Sequence, residues 1–257
     1  METHLNFVEF NRHMAGTTGG VLVEEGGVAC GLSGEPFPSM ANWAIRTDAS
    51  VDAAAAVARA DAFFRDCGHG YTFFARIPGD EEVEEIALSA GFLALIDMPE
   101  MVCEARPDDT IAPEGVTLRW VEHADDVAAY FELQGLAYST LGFPTEVLAA
   151  VGRHRATLLD PHVGAVVAEV DGRPVAGAMA LLSDGVGGVY FVGTVEAARG
   201  RGLGELVTRA VTNWAFDRGA ARVCLQASHM GEPIYRRMGY RHTSVRYRGP
   251  VRFEPGG

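Results

Sequence analysis

Ala198-Arg199-Gly200-Arg201-Gly202-Leu203-Gly204-Glu205 joins an apolar, β-branched run, Gly187 to Val195, to an amphipathic run that begins at Leu203. Leu203, Leu206, Val207, Ala210, Val211, Trp214 and Ala215 recur at helical spacing, with Glu205, Arg209, Asp217 and Arg218 off that stripe. The order is therefore strand, glycine-rich turn, helix. Glycine at 200, 202 and 204 removes the side chains that would hold a ligand off the backbone, and the first-turn amides of a helix with its positive dipole end attract anions. Arg199 and Arg201 add charge able to grip phosphate. A pyrophosphate is the expected occupant. The dinucleotide pattern G-x-G-x-x-G fails because Glu205 and Val207 stand where its last glycine belongs.

Working outward, Gly219 ends the helix, Arg222 to Ser228 alternates as a strand, and Glu232 to Met238 forms a short helix closed by Gly239. Upstream, the turns Asp171-Gly172 and Asp184-Gly185 predict three antiparallel strands over about 163–170, 174–182 and 187–195. Before them come a strand at Val116 to Val121 and helices over 125–136 and 145–159. The polar, proline-bearing stretch 106–115 reads as a linker, giving domains 1–112 and 113–257.

The first half repeats this order in weaker form. Asn42 to Arg46 reads as a strand, Val51 to Asp66 as a helix, Tyr71 to Arg76 as a strand and Glu81 to Ser89 as a helix, and Ala90-Gly91-Phe92 echoes Met238-Gly239-Tyr240. Its turn, Arg46-Thr-Asp-Ala-Ser-Val-Asp52, has no glycine and two acids, which would repel a pyrophosphate.

The 257 residues contain 21 basic side chains, all arginine, so chemistry that needs a Schiff-base or P-loop lysine is excluded. A net charge of -13 argues against a nucleic-acid partner. From Arg199 onward, however, 11 arginines face four acids, so an anionic ligand belongs in that quarter. Four scattered cysteines suggest neither a disulfide framework nor a metal site. A polar N-terminus and the lack of long apolar runs point to a cytoplasmic protein without a membrane partner.

Arg199-x-x-Gly202-x-Gly204 resembles the Q/R-x-x-G-x-G/A motif of the GCN5-related N-acetyltransferase (GNAT) superfamily, and Ile234-Tyr235-Arg236-Arg237-Met238-Gly239-Tyr240 is similar to its later tyrosine block. The resemblance covers roughly 115 to 250. It implies an α/β (α+β) fold, with a mixed, mostly antiparallel sheet flanked by helices, in two tandem acyl-CoA N-acyltransferase-like copies, the first degenerate and without coenzyme.

The resemblance further implies an N-acetyltransferase moving an acetyl group from acetyl-CoA, without a metal, to a small-molecule or peptide amine in a ternary complex; a homodimer is a possible assembly. Val192, Gly193 and Thr194 would present backbone to the pantetheine arm, and Arg199, Gly200, Arg201, Gly202, Leu203 and Gly204 would hold the pyrophosphate. Ser228 would add a contact, and Tyr235 would be the general acid. The strand before the turn lacks the carboxylate that many relatives use as base, which leaves Glu169, Asp171 or His229 acting through water. It also keeps open a non-catalytic acetyl-CoA sensor or interaction module, or an acyltransferase with another acyl group or acceptor.

Overall fold

The computed structural model describes residues 2–33, 37–38 and 41–254. In chain order the elements are α1 (Glu2–Thr17), β1 (Val21–Glu25), β2 (Val28–Leu32), β3 (Trp43–Arg46), α2 (Ala53–Cys67), β4 (Tyr71–Ile77), α3 (Glu81–Ser89) and β5 (Leu93–Cys103). They continue with β6 (Val116–Trp120), α4 (Ala124–Ser139), α5 (Thr145–Val151), β7 (Val163–Val170), β8 (Arg173–Ser183), β9 (Val186–Thr194), α6 (Leu203–Asp217), β10 (Arg222–Gln226), α7 (Glu232–Arg237) and β11 (Arg241–Arg252). No described helix is long and apolar enough to cross a membrane.

Two compact units result: Met1–Phe10 with Met101–Arg241, and Asn11–Glu100 with His242–Gly257. The contiguous division at 112/113 is therefore corrected at both ends of the chain. The opening residues join the later unit because Asn6 donates to the Leu181 and Val186 carbonyls at 3.1 and 2.9 Å and accepts from the Tyr190 hydroxyl at 2.7 Å. Gly188 makes room for it, since a Cβ there would lie 1.8 Å from the Asn6 carbonyl oxygen. Phe10 then stacks on Tyr190 with ring centroids 3.7 Å apart. A helix whose buried face includes asparagines does not look amphipathic, which is why the opening stretch reads as merely polar.

The expected linker is also part of the later unit. Arg106 pairs with Asp217 at 2.8 Å, Asn213 donates to Asp109 at 2.8 Å, and Arg209 donates to the Asp108 carbonyl at 3.0 Å, so the segment lies along α6. At the chain's other end, β11 pairs antiparallel with β4, and Arg246, Arg248 and Arg252 reach Asp97, Glu84 and Asp61. Part of the arginine excess thus neutralises acids of the earlier unit instead of surrounding the glycine turn.

In the later unit the strand order is β10-β9-β8-β7-β6, antiparallel except for the parallel β9–β10 pair. The Asp-Gly hairpins form as expected, with positive φ at both residues of each. The apolar stripe of α6 is buried against β7, β8 and β9, with Leu203, Val207, Val211 and Ala215 at most 1% exposed. The helix expected over 145–159 stops at Val151, and a short 3-10 turn at Arg155–Thr157 follows.

The earlier unit has the order β1-β2-β3-β4-β11-β5. Its β3 and β4 are parallel and joined through α2, the same strand–helix–strand step as β9–α6–β10. Ala56, Val57, Ala60 and Phe64 of α2 pack with Val83 and Ala87 of α3 over Phe73 and Ala75. The apolar spacing of both helices is what the sequence predicts. The β1–β2 hairpin, β5 and β11 are not anticipated.

Candidate functional site

The site begins with an irregularity in β9. Gly177 of β8 pairs with Gly193, yet Met179 pairs with Tyr190, so β9 holds one extra residue, and Phe191 sits at φ 47°. A non-glycine bulge in the left-handed region is strained and must be held by its surroundings. Two tyrosines of α4, eight positions apart and hence on one helix face, do this. Tyr130 donates to the Phe191 carbonyl at 3.1 Å and Tyr138 to the Val192 carbonyl at 3.4 Å. Gly193 lets α4 lie close, because a Cβ there would come within 2.2 Å of the Gln134 side-chain oxygen.

The bulge has a consequence on the other edge of β9. Pairing with β10 is confined to Val186–Gly188 against Arg222–Cys224, and past that point the strands part. Val192, Gly193 and Thr194 therefore carry edge backbone groups toward a cavity of about 450 Å³. The same cavity is lined by Arg199, Gly200, Gly202, Leu203 and Gly204 of the turn and by Ser228 and Tyr235.

At the turn, Gly200 and Gly202 both adopt φ 76°, which other residues reach only at a cost. Gly202 caps α6 without any side-chain hydrogen bond. The first helical bond runs from the Leu206 amide to the Gly202 carbonyl at 3.0 Å, so the amides of Leu203, Gly204 and Glu205 precede the ladder and have no intrahelical acceptor. That is an anion cradle made of backbone.

The two arginines of the motif behave differently from each other. Arg201 is not among the cavity residues; it lines a separate hollow with Asp171 and Arg173. Arg199 lines the cavity, but its guanidinium donates to Thr194 and Ala137 carbonyls at 3.2 and 3.1 Å and to the Thr140 hydroxyl at 2.7 Å. Glu205, a carboxylate in the first turn, is bound by Arg209 at 2.8 Å and Arg237 at 3.1 Å. Burial tends to raise its pKa, but those hydrogen bonds outweigh burial and hold the carboxyl below its ordinary range.

Tyr235 is 6% exposed, and burial pushes its phenol above the ordinary value, so it remains a protonated donor. Ser228 accepts from the Gly231 amide at 3.1 Å through its hydroxyl, which places it at the entry to α7. The proposed bases fare less well. Glu169 is paired with Arg119 at 2.8 Å, and neither it, Asp171 nor His229 lines the cavity. Glu205 is the one carboxylate among the cavity residues.

Sequence reading missed the lining residues Ala137, Tyr138 and Leu141, at and just beyond the end of α4, together with Met230. Ending the helix at 136 hid Tyr138. The signal was there, since Tyr130, Gln134 and Tyr138 continue one face at i, i+4, i+8.

Residues 127–240 match the acetyltransferase (GNAT) family. A mycothiol acetyltransferase from Thermomonospora curvata is 27% identical over 158 residues, which is 59% of this chain and 52% of that protein. The chain thus spans about half the length of that curated relative. In structure it resembles a GCN5-related N-acetyltransferase from Kribbella flavida, with TM-score 0.70 and 23% identity over 97% of this chain and 95% of the other. A tandem GNAT protein from the clavulanic acid biosynthesis pathway aligns with TM-score 0.61 and 15% identity over 92% and 82% of the two chains. Splayed strand, backbone cradle and matched domain coincide in one segment, and it is through residues 127–240 that the chain is similar to the acetyltransferase (GNAT) family.

Proposed function

We propose that the unit built on residues 101–241 transfers the acetyl group of acetyl-CoA to a small-molecule amine, with both substrates bound together. One observation carries the reading: the unpaired edge of β9, the uncapped amides of α6 and the buried phenol of Tyr235 meet in one cavity. The edge backbone of Val192 to Thr194 suits the amides of a pantetheine arm, as a further strand would. The α6 amides suit its pyrophosphate.

In this mechanism the amine nitrogen attacks the thioester carbonyl carbon, and the carbon–sulfur bond breaks. The leaving thiolate takes the Tyr235 proton, and the new amide loses its proton to water. With Glu205 already ion-paired, no free carboxylate among the cavity residues is available to deprotonate an ammonium group. A lysine-like amine of pKa ~10.4 is only about one part in 2500 neutral at pH 7, whereas an α-amine at ~7.7–8.0 is roughly one part in six to eleven. We therefore favour an acceptor with a weakly basic amine. The Thermomonospora relative, named a mycothiol acetyltransferase, is likewise named for acetyl transfer.

The earlier unit we read as a degenerate copy without coenzyme. The four cysteines are free, which suits a reducing cytoplasm. The shortage of a cavity base also favours one second reading, an acetyl-CoA sensor that transfers nothing. Thiol release from acetyl-CoA across a panel of weakly and strongly basic amines tests the choice. Release with weakly basic amines is expected, and tight CoA binding without release for any amine would leave the sensor.

A further inference from the structure

The last turn of α4 contains no basic residue, although the final carbonyls of a helix lack partners and sit at the negative end of its dipole. A cation from elsewhere serves them. Arg199, at the head of the glycine turn, sends one guanidinium nitrogen to the Ala137 carbonyl at 3.1 Å and the Thr140 hydroxyl at 2.7 Å. Its Nε anchors on the Thr194 carbonyl at 3.2 Å. These α4 contacts bracket Tyr138, whose hydroxyl reaches the Val192 carbonyl and whose ring meets Phe143 and Phe191 edge-on, at 5.8 and 6.3 Å. Tyr138 lines the cavity, and its pKa is raised first by burial and then by the neighbouring Tyr235. The two phenols therefore share one end of the site.

We infer that Arg199 is a positioning residue: its guanidinium locks the end of α4 so that Tyr138 closes the cavity beside Tyr235, and its contribution to transfer does not depend on the phosphates of the coenzyme. The segment divides its labour, with backbone amides facing the anion and the arginine side chain facing the helix end. A planar fork suits this task, and a lysine ammonium cannot span the same acceptors. The inference rests on the acetyl-transfer reading above.

The test compares acetyl-CoA with S-acetylpantetheine, which has the thioester and amides but no phosphate. Under this inference Arg199→Ala lowers kcat/KM roughly 10-fold or more, and by the same factor for both donors. Arg199→Lys keeps a charge for phosphate but falls nearly as far, and Thr140→Val falls in the same direction by less. Thermal melting of each variant reports folding, and if Arg199→Ala does not fold, the lysine and Thr140 variants decide. A loss confined to acetyl-CoA, a wild-type rate in Arg199→Lys, or no loss in Arg199→Ala overturns it. Wild-type protein inactive with both donors and every amine would instead strike the acetyl-transfer reading. The same comparison would then be made by the affinities of CoA and pantetheine, read by the same rule.

Discussion

The two strand–turn–helix steps of this chain, β3–α2 and β9–α6, share a topology and treat the helix N-terminus in opposite ways. At α2 the terminus is satisfied internally: Asp52 accepts from the Ala55 amide at 2.9 Å, and Ser50 bonds to Asp48 within the same turn. Arg46 adds bonds to Asp80 and to the Val51 and Gly79 carbonyls, at 2.7, 2.8 and 2.6 Å. At α6 the cap is Gly202, with no side chain to offer. A helix end carries a fixed set of donors; a chain can supply the anion itself or leave the place to a ligand.

The short helices that follow carry the same contrast. The Tyr240 amide closes on the Tyr235 carbonyl at 3.0 Å, and the Phe92 amide closes on the Ala87 carbonyl at 3.1 Å. The position equivalent to the proposed acid is therefore alanine. At these two equivalent places the earlier unit carries neither an open cradle nor a phenol, which supports its reading as a degenerate copy.

Transplanting the internal cap is expected to have the largest effect. Gly202→Asp gives α6 the arrangement of α2, and aspartate tolerates the left-handed backbone better than most residues. A carboxylate at the cradle should weaken CoA binding at least ~100-fold, because like charges ~4 Å apart repel by about 4 kcal/mol at an effective dielectric of ~20. Titration calorimetry reads this, and unchanged affinity would remove the cradle from the site. Next, Tyr235→Phe should lower kcat about 100-fold while CoA affinity changes little, whereas Ala87→Ser, at the equivalent place, leaves kcat alone. Equal turnover in Tyr235→Phe and wild type would mean that the thiolate takes its proton elsewhere.

Removing the internal cap is a smaller change. Asp52→Ala should cost about 1 kcal/mol of stability without altering CoA affinity, as a shift of the urea midpoint at constant slope shows. The smallest effect concerns Glu205. Because its folded pKa is depressed, its contribution is complete above its ordinary value near 4.5 and fades as pH falls through the lower folded value. Glu205→Gln should therefore flatten that part of the acid limb by within about 1 kcal/mol, the range for partly exposed ion pairs. An acid limb as steep in the variant as in wild type contradicts the pairing with Arg209 and Arg237.

Much of the site was legible because it is local. The glycines at 200 and 202, the stripe on α6 and the block from Ile234 to Tyr240 each lie within one or two elements, where spacing translates directly into geometry. The side-chain role of Arg199 was not legible, because two of the three groups that occupy its guanidinium, on Ala137 and Thr140, lie some 60 positions away. Glu169 looked available as a base for the same reason: its partner, Arg119, stands on a different strand.

What the order of residues determined by itself was the repeated strand–helix–strand pattern, an anion-ready turn in one repeat and an acid-capped turn in the other. Those follow from backbone freedom, helix periodicity and charge, which act over a few residues. Only the tertiary structure decided which unit the two chain ends join, where β9 leaves β10, and which charges remain free. Each of these depends on partners distant in sequence: Asn6 at the β8–β9 hairpin, the α4 tyrosines on the bulge carbonyls, and the arginines of β11 on acids of the earlier unit. Hydrogen bonds and ion pairs form between groups brought together by packing, and no local pattern announces their partners.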